Sequence, residues 1–159
     1  LTKSGDKSIA LKVSDSTSSV NYMLTDTSII NEPPTLKNVP DFQLHIDITP
    51  QFINKFIAGK GALGETDNFT VITENGTAKA VIGYSSVNTN RVTIPVTTTK
   101  ISDIENVSFN ANIFKEVLSA NKDCESATLE VSSDGLSRIT FKIDDYTSTY
   151  YLVAVQDVD

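Results

Sequence analysis

Few residues of this sequence have the types and spacing that chemistry requires. The run from Gly59 to Gly64 matches the Gly-x-Gly-x-x-Gly pattern of dinucleotide-binding loops. That chemistry needs a strand before the glycines and a helix after them, because the pyrophosphate binds at the helix N-terminus. Here a helical pattern comes before the glycines and a strand pattern follows them. We therefore interpret the segment as a helix stop and a loop, and not as a nucleotide site.

The residue types that bind metals or attack substrates are also isolated. His45 is the only histidine and Cys124 the only cysteine, so a zinc site or a Cys-His pair has no second member. Asp144 and Asp145 adjoin each other in a turn-like stretch, where a hairpin turn is the simpler interpretation. No nucleophile, base and orienting group occur as a set. The sequence predicts no catalytic residue, no metal site and no cofactor, and we expect no enzyme.

Composition limits the class of protein. The chain has 159 residues and a net charge of −7, so its overall charge does not favour nucleic acid, although an acidic body is compatible with a local basic surface. No apolar run approaches the roughly 20 residues that cross a bilayer, and a single cysteine suits a reducing compartment. We expect a cytoplasmic protein (in the host cytoplasm, if it is viral) with no membrane partner. Because residue 1 is Leu and no signal core follows, we also expect a fragment whose natural start lies upstream.

The elements that must position any site begin with a hairpin. Alternating β-prone residues over 8–13 and 20–24 flank a polar turn. The stretch 26–41 contains three prolines, which remove backbone donors and disfavour helix, so it is predicted to be an extended connector. We predict three parts: residues 1–25 as the end of a first domain, 26–41 as the connector between domains, and 42–159 as a complete second domain.

The second domain opens with one β-α-β-β-β unit. A strand over 42–48 leads into Thr49 and Pro50, a hydroxyl N-cap followed by proline at the first helical position. Gly59 is expected to end this helix. Three strands should follow, at 68–73, 77–84 and 90–97.

The same unit then occurs again, with its helix 61 residues further on. Asn110 repeats the N-cap at Thr49. Apolar helix positions match at the same spacing: Phe52 with Ile113, Ile53 with Phe114, Phe56 with Val117, and Ile57 with Leu118. The second helix should lie between a strand over 106–109 and strands over 127–131, 138–143 and 148–155. Five positions at one spacing argue against a chance repeat, so the repeat governs the fold prediction.

Each predicted helix has an apolar stripe that must pack on a sheet and a polar stripe that faces away from it. An approximate twofold relation would place two adjacent helices on one side of antiparallel sheets, in an α+β fold. Their polar stripes would then share one surface, on which Glu116 is the only acid. Its members are Gln51, Asn54, Lys55, Asn112, Lys115, Ser119 and Lys122. Two ordinary solvated helix faces remain the alternative at this point.

This arrangement resembles the sliding clamp family, specifically the trimeric clamps of T4-like phages and those of eukaryotes and archaea. The ending Tyr150-Tyr151-Leu152-Val153-Ala154 is similar to the final strand of those clamps, and Phe141-Lys142-Ile143 to the strand before it. The connector with its prolines resembles the interdomain linker of the phage clamps. The resemblance covers about the whole chain, but its motifs are diffuse because clamps have no catalytic signature. The topology and the repeat therefore carry more weight than any short string.

The resemblance implies a DNA polymerase processivity factor. Such a protein is a ring, homotrimeric when full length, that encircles duplex DNA without sequence preference and tethers the replicative DNA polymerase after a clamp loader has placed it. Both helices would line the hole of the ring. By position in the two helices, the residues that would face DNA are Lys55, Lys60, Lys115, Lys122, Asn54 and Asn112.

The resemblance also implies a pocket for partner peptides between the connector and the terminal strands. The residues assigned to it are Ile29, Ile30, Leu136, Tyr151 and Val153. Ordinary core and edge packing remains an alternative, above all for Leu136 and Val153. Apolar residues in the polar connector are more informative, because they need some burial.

Ring closure in this family uses edge strands that pair head to tail between neighbouring subunits. The matching strands here are about 18–24, with Val20 and Tyr22, and about 91–97, with Val92 and Ile94. Both would lie at exposed sheet edges of a lone subunit, and such edges invite pairing. A heterologous contact of this kind produces a ring when its rotation closes.

A β-rich phage structural or surface-binding module is the main alternative from another class. It would explain strands that are rich in Thr, Ser and Asn, but not two matched amphipathic helices. Helix placement separates the two hypotheses. Adjacent helices with lysines on one face favour the clamp, and helices on opposite faces would exclude it.

Overall fold

The first unit of the computed structural model, residues 1–39, is a three-stranded antiparallel sheet. Its strands are β1 (Thr2–Ser4), β2 (Lys7–Ser14) and β3 (Ser19–Met23), and a 3-10 turn follows at Thr27–Ile29. The predicted hairpin is confirmed, whereas the short β1 was not predicted. Among the described residues of this unit only Ala10 is buried, so the sheet has almost no core of its own.

The structure describes residues 1–32, 35–85, 87 and 90–155. Pro33 and Pro34 of the predicted connector lie outside these residues. The second unit, residues 40–159, contains both β-α-β-β-β copies.

The element order of the two copies is the predicted one. The first copy consists of β4 (Leu44–Asp47), α1 (Pro50–Ala62), β5 (Asn68–Glu74), β6 (Thr77–Ile82) and a third strand in two pieces, β7 (Val92–Pro95) and β8 (Thr97–Lys100). The second copy consists of β9 (Val107–Asn110), α2 (Ala111–Ala120), β10 (Ser126–Val131), β11 (Leu136–Ile143) and β12 (Tyr146–Val153). The division of the third strand into β7 and β8 was not predicted.

The two copies are interlocked, because each lends its first strand to the other. The sheets have the orders β12-β11-β10-β4-β8 and β7-β6-β5-β9, so β4 pairs with β10 and β9 pairs with β5. The divided third strand joins both sheets, since β7 pairs with β6 and β8 with β4. The chain after β12 makes the equivalent connection, as the Val155 N–H donates to the Ser108 carbonyl at 2.8 Å. Neither copy completes a sheet alone, so the two form one core.

Aromatic side chains from both copies fill that core. The Phe114 ring on α2 lies 4.8 Å from the Phe56 ring on α1, in an edge-to-face arrangement, and 4.7 Å from the Phe69 ring on β5. All three residues are fully buried. These contacts place the two helices side by side. The prediction of adjacent helices packed on antiparallel sheets is therefore confirmed.

Both predicted N-caps are confirmed. The Thr49 hydroxyl accepts a hydrogen bond from the Phe52 N–H at 3.1 Å, and the Asn110 side-chain oxygen accepts one from the Ile113 N–H at 2.9 Å. Each bond satisfies a backbone donor that has no partner within the helix. The caps therefore fix the starting point of each helix.

The predicted end of α1 at Gly59 is wrong, because the helix continues to Ala62. A Cβ atom on Gly59 would lie 2.9 Å from the Val92 Cγ1 atom of β7. Gly59 is thus a helical residue that allows close packing against a strand. The glycine-rich run remains a poor nucleotide site, since its first four residues are helical and no strand precedes them.

Candidate nucleic-acid interface

The predicted basic surface would lie on the sides of the two helices that face away from the core. Asn54 and Lys55 on α1, and Asn112 on α2, are exposed, as is Lys122 just beyond α2. Lys115 is half-buried, and its ammonium lies 3.7 Å from the Glu116 carboxylate. The exposed lysines have long stems and charged ends, so they suit loose contacts with an anionic backbone.

Lys60 was wrongly assigned to this surface. Its side chain is only 4% exposed, and its ammonium donates to the carbonyl oxygens of Gly64, at 2.8 Å, and Leu63, at 3.4 Å. The prediction depended on ending α1 at Gly59. Because α1 continues by another turn, Lys60 falls on the buried side and binds carbonyl groups just beyond the helix end.

Asn121 lies at the matching place after α2 and was not predicted to matter. It is buried, and its amide donates to the Val117 carbonyl at 2.8 Å and to the Tyr150 hydroxyl at 3.1 Å. The repeat itself is the signal that relates it to Lys60, since the two positions are 61 residues apart. Both copies therefore have, near the helix C-terminus, a buried side chain that donates to at least one backbone carbonyl.

Ile113 departs from the predicted apolar stripe. It is 52% exposed, whereas its match in α1, Phe52, is 5% exposed. The core side of α2 is instead formed by Ala111, Phe114 and Leu118. An apolar side chain thus stands next to Asn112 on the predicted basic surface.

The two edge strands predicted for subunit contacts are edges within the described sheets. Strand β3 ends the first sheet, with Val20 and Tyr22 exposed, and β7 ends the four-stranded sheet. The side chain of Val92 packs close to Gly59, and Ile94 is buried. The prediction that β7 is a subunit-contact strand therefore concerns its backbone and not these two side chains. At this sheet edge, the groups of β7 that could pair with a strand of another subunit are its backbone N–H and C=O groups.

The residues assigned to the peptide pocket lie in both units. In the first unit, Ile29 is 74% exposed and Ile30 is also exposed. In the second unit, Leu136 on β11 stands opposite Val153 on β12, on the outer face of the five-stranded sheet, and Tyr151 lies on the same face. Val153 is 76% exposed, so it is not a core residue. All of these side chains except the half-buried Leu136 are exposed and therefore accessible to a ligand.

An ion pair on the same outer face was not predicted. Arg138 donates two hydrogen bonds to Glu130, at 2.5 and 2.8 Å, and Glu130 is almost fully buried. The pKa of the Glu130 carboxyl is lowered, first by the Arg138 hydrogen bonds, while burial opposes this shift. Strand alternation could have placed both residues on one face. Only the register between β10 and β11 joins them.

Neither a metal site nor a membrane-spanning helix is present in the described part of the chain. No group of three or more His, Cys, Asp or Glu side chains there could hold a metal ion. None of the helices in residues 1–32, 35–85 and 90–155 is long and apolar enough to cross a membrane.

The paired helices and the two shared antiparallel sheets define the fold of the sliding clamps, and solved structures bear this out. The proliferating cellular nuclear antigen of Entamoeba histolytica superposes with a TM-score of 0.69 at 15% identity, over 97% of this chain and 62% of that chain. In the PCNA2–PCNA3 complex of Sulfolobus tokodaii the TM-score is 0.68 at 12% identity, over 91% of this chain and 60% of that chain.

The chain thus spans about three fifths of the length of these neighbours. No protein-family model and no curated protein sequence matches it. At such low identity the likeness establishes the fold, and the α+β prediction is confirmed.

Proposed function

We propose that this protein is a DNA polymerase processivity factor: a sliding clamp that encircles duplex DNA and tethers the replicative DNA polymerase. The observation that carries the proposal is the pair of adjacent helices, built from one unit in duplicate, in a chain that superposes on clamp structures over nearly its whole length. Fold alone does not imply function. The local argument comes from the exposed Lys55 on α1, the half-buried Lys115 on α2 and the exposed Lys122 just beyond α2.

The DNA-facing surface of the proposed clamp consists of Lys55, Lys115 and Lys122, with Asn54 and Asn112. Lysines are compact charges that attract phosphates without reading bases. Loose and screened contacts of this kind hold a duplex in place while allowing it to slide. Lys60 has no part in this surface, because its ammonium is bound to backbone carbonyls.

The proposed ring is a homotrimer of the T4-like phage type, for which the proline-containing connector is the main support. Strand β3 of one subunit would pair with β7 of the next through backbone hydrogen bonds. Neither strand carries a charge, and β3 contains no proline, so like charges do not oppose the pairing. A clamp loader would open and close this ring around DNA.

The polymerase would be held by its peptide tail. We infer that the tail binds apolar side chains of the terminal strands, Leu136, Tyr151 and Val153, and that Ile29 and Ile30 of the connector are further contacts. The exposure of Ile29, Ile30, Tyr151 and Val153 supports this inference, because exposed apolar side chains are a common mark of a protein-binding site.

Topological tethering gives the decisive experiment. The full-length protein, its loader and its polymerase are assayed on primed circular DNA and on the same template made linear with free ends. We expect long products on the circle and loss of the stimulation on the linear template, from which a ring slides off. Absence of stimulation on both templates would overturn the proposal.

The DNA-facing lysines are tested with matched variants. Replacing Lys55, Lys115 and Lys122 together with Gln should shorten the products, and the salt dependence of DNA retention should fall by about one unit of slope for each lysine that no longer neutralises a phosphate. The control replaces three exposed lysines elsewhere, Lys3, Lys12 and Lys142, and has the same change in net charge. Equal effects of the two sets would exclude a specific DNA-facing surface.

A further inference from the structure

One row of polar side chains crosses all five strands of the larger sheet. Consecutive members stand directly opposite each other in neighbouring strands. In sheet order, the row consists of Tyr151, Arg138, Glu130, His45 and Lys100. Because side chains at paired positions share a face, the row lies on the outer face, away from the core residues.

An ion pair holds the centre of the row. The Glu130 carboxylate receives both hydrogen bonds of the Arg138 fork, and the His45 Nε2 atom lies 3.6 Å from it. Lys100, at the end of the row, donates instead to the Phe42 carbonyl at 2.5 Å. A bidentate pair of this kind fixes the plane of the guanidinium as well as its position.

Two aromatic residues stand beside Arg138. Its guanidinium carbon lies 4.7 Å from the centre of the Phe42 ring, which stacks on it. Tyr151 stands directly opposite Arg138 in the neighbouring strand, on the same face of the sheet, so its hydroxyl is a possible partner for the guanidinium. The pKa of Arg138 is raised, first by its hydrogen bonds to Glu130 and to a smaller degree by Tyr151. Arg138 therefore lies between the buried Glu130 and the more exposed Tyr151.

Tyr151 is the residue at which the row meets the apolar part of the outer face. Leu136 and Val153 stand opposite each other two residues further along the same strands, on the same side of the sheet. These three residues are the proposed tail-binding residues of the second unit. A tyrosine held in one orientation offers a peptide a preformed wall, so that less conformational freedom is lost on binding.

We propose that Arg138, clamped by Glu130 and Phe42, is a positioning residue that holds the Tyr151 ring in place for the partner peptide. This inference rests on the proposed function, because the peptide pocket is part of it. Arg138 acts through the Tyr151 hydroxyl and does not itself need to touch the peptide.

The test is a double-mutant cycle on peptide affinity. The probe is a fluorescein-labelled peptide copied from the C-terminal tail of the replicative polymerase, and its anisotropy is titrated with the full chain. Arg138→Gln and Tyr151→Phe should each weaken binding by about tenfold, the size of one hydrogen bond to a charged group. The double variant should be no weaker than either single variant, because both changes break the same contact. Lys142→Gln, which removes an exposed cation from the same strand, should bind like the wild type.

The outcomes separate the inference from the proposed function. Suppose that the wild-type chain binds the peptide. The positioning role is then overturned if Arg138→Gln binds equally well, or if the double variant loses about a hundredfold in affinity because the two single losses multiply. In either case the clamp proposal stands. If the wild type does not bind the tail, the proposed pocket itself is wrong.

A second measurement needs no ligand. In protein labelled with 3-fluorotyrosine, Arg138→Gln should shift or broaden the fluorine resonance of Tyr151, which Tyr151→Phe identifies by its disappearance. The resonance of Tyr84 should stay unchanged and show that the fold is intact. An unaltered Tyr151 resonance would overturn the positioning role whatever the peptide does.

Discussion

The helices of the two copies are built from matched residues but bury different sides. In α1 the first apolar position, Phe52, is buried among the core aromatic rings, 6.3 Å from the Phe114 ring. In α2 the matched position, Ile113, faces solvent, and its core side begins with the small Ala111. The repeat therefore determines which positions are apolar, whereas the neighbouring elements determine which of them are covered.

Near the C-terminal ends of the same helices, different residue types have similar surroundings. Lys60 and Asn121 have unrelated side chains, yet both are buried and both donate to carbonyl groups near a helix C-terminus. Such carbonyls have no partner within the helix and need a donor when they are buried. Matched structural positions can thus keep a role while the residue type changes.

The largest effect should come from truncating the matched apolar pair. Phe52→Ala should cost about 3–5 kcal/mol of unfolding free energy, because it leaves a cavity among aromatic rings. Ile113→Ala should cost less than about 0.5 kcal/mol, since its side chain is already in water. Urea unfolding of both variants measures the difference. Equal losses would mean that α2 packs as α1 does.

The next largest effect concerns the helix ends. Asn121→Ala should cost about 1–3 kcal/mol, because it leaves a buried carbonyl and the Tyr150 hydroxyl without a donor. Lys60→Met keeps the apolar stem and should cost about 1 kcal/mol, because the new side chain cannot donate to the two carbonyls. Thermal unfolding gives both values. If Lys60→Met weakens DNA retention without any loss of stability, its exclusion from the DNA-facing surface is wrong.

A smaller effect should come from exchanging the residue type at the next matched pair, Gly59 and Ala120. Gly59→Ala should destabilise by about 1 kcal/mol, because the clash with Val92 exceeds the gain in helix propensity. Ala120→Gly should also destabilise, by up to about 1 kcal/mol, from propensity alone. Chemical unfolding compares the two. A stabilised Gly59→Ala variant would show that β7 can move away from α1.

The smallest effect is a pH dependence that distinguishes the two sheets. Glu130 pairs with Arg138 in one hairpin, whereas in the matching hairpin of the first copy Lys79 stands opposite Ile72. Because the folded-state pKa of Glu130 is lowered, its stabilising contribution is full above the ordinary value of 4.5 and is lost as the pH falls through the folded-state pKa. The stability difference between wild type and Glu130→Gln should therefore be constant near neutral pH and shrink in acid. A difference that does not change with pH would contradict the charged pairing.

Much of the local structure could be predicted because its causes are local. Thr49 and Asn110 indicate where the helices start, because their side-chain oxygens can accept hydrogen bonds from the first helical N–H groups. The Asn-Gly pair at Asn75 and Gly76 favours a tight turn, and both residues have the positive φ that such a turn requires between β5 and β6. Of the candidate site residues, the exposure of Asn54, Lys55 and Asn112 was predictable from helical periodicity, once the helices themselves were known.

The remaining part of the site could not be predicted because it depends on neighbours distant in sequence. Ile94 alternates correctly as a strand residue, but only the packing of β7 shows that it faces the core. The partnership of Arg138 with Glu130 and Tyr151 requires the register of three strands. No local pattern encodes a register, because several alignments would satisfy the same alternation.

The sequence by itself determined the duplicated unit, the order of its elements, the caps, and the acidic body with lysines on two helices. These follow from periodicity, side-chain hydrogen bonding and charge, which act over a few residues. The tertiary structure alone decided the exchange of first strands, the burial of Lys60, the exposure of Ile113 and the polar row across five strands. Each of these depends on which surfaces meet, and that is settled only when the two copies share one core.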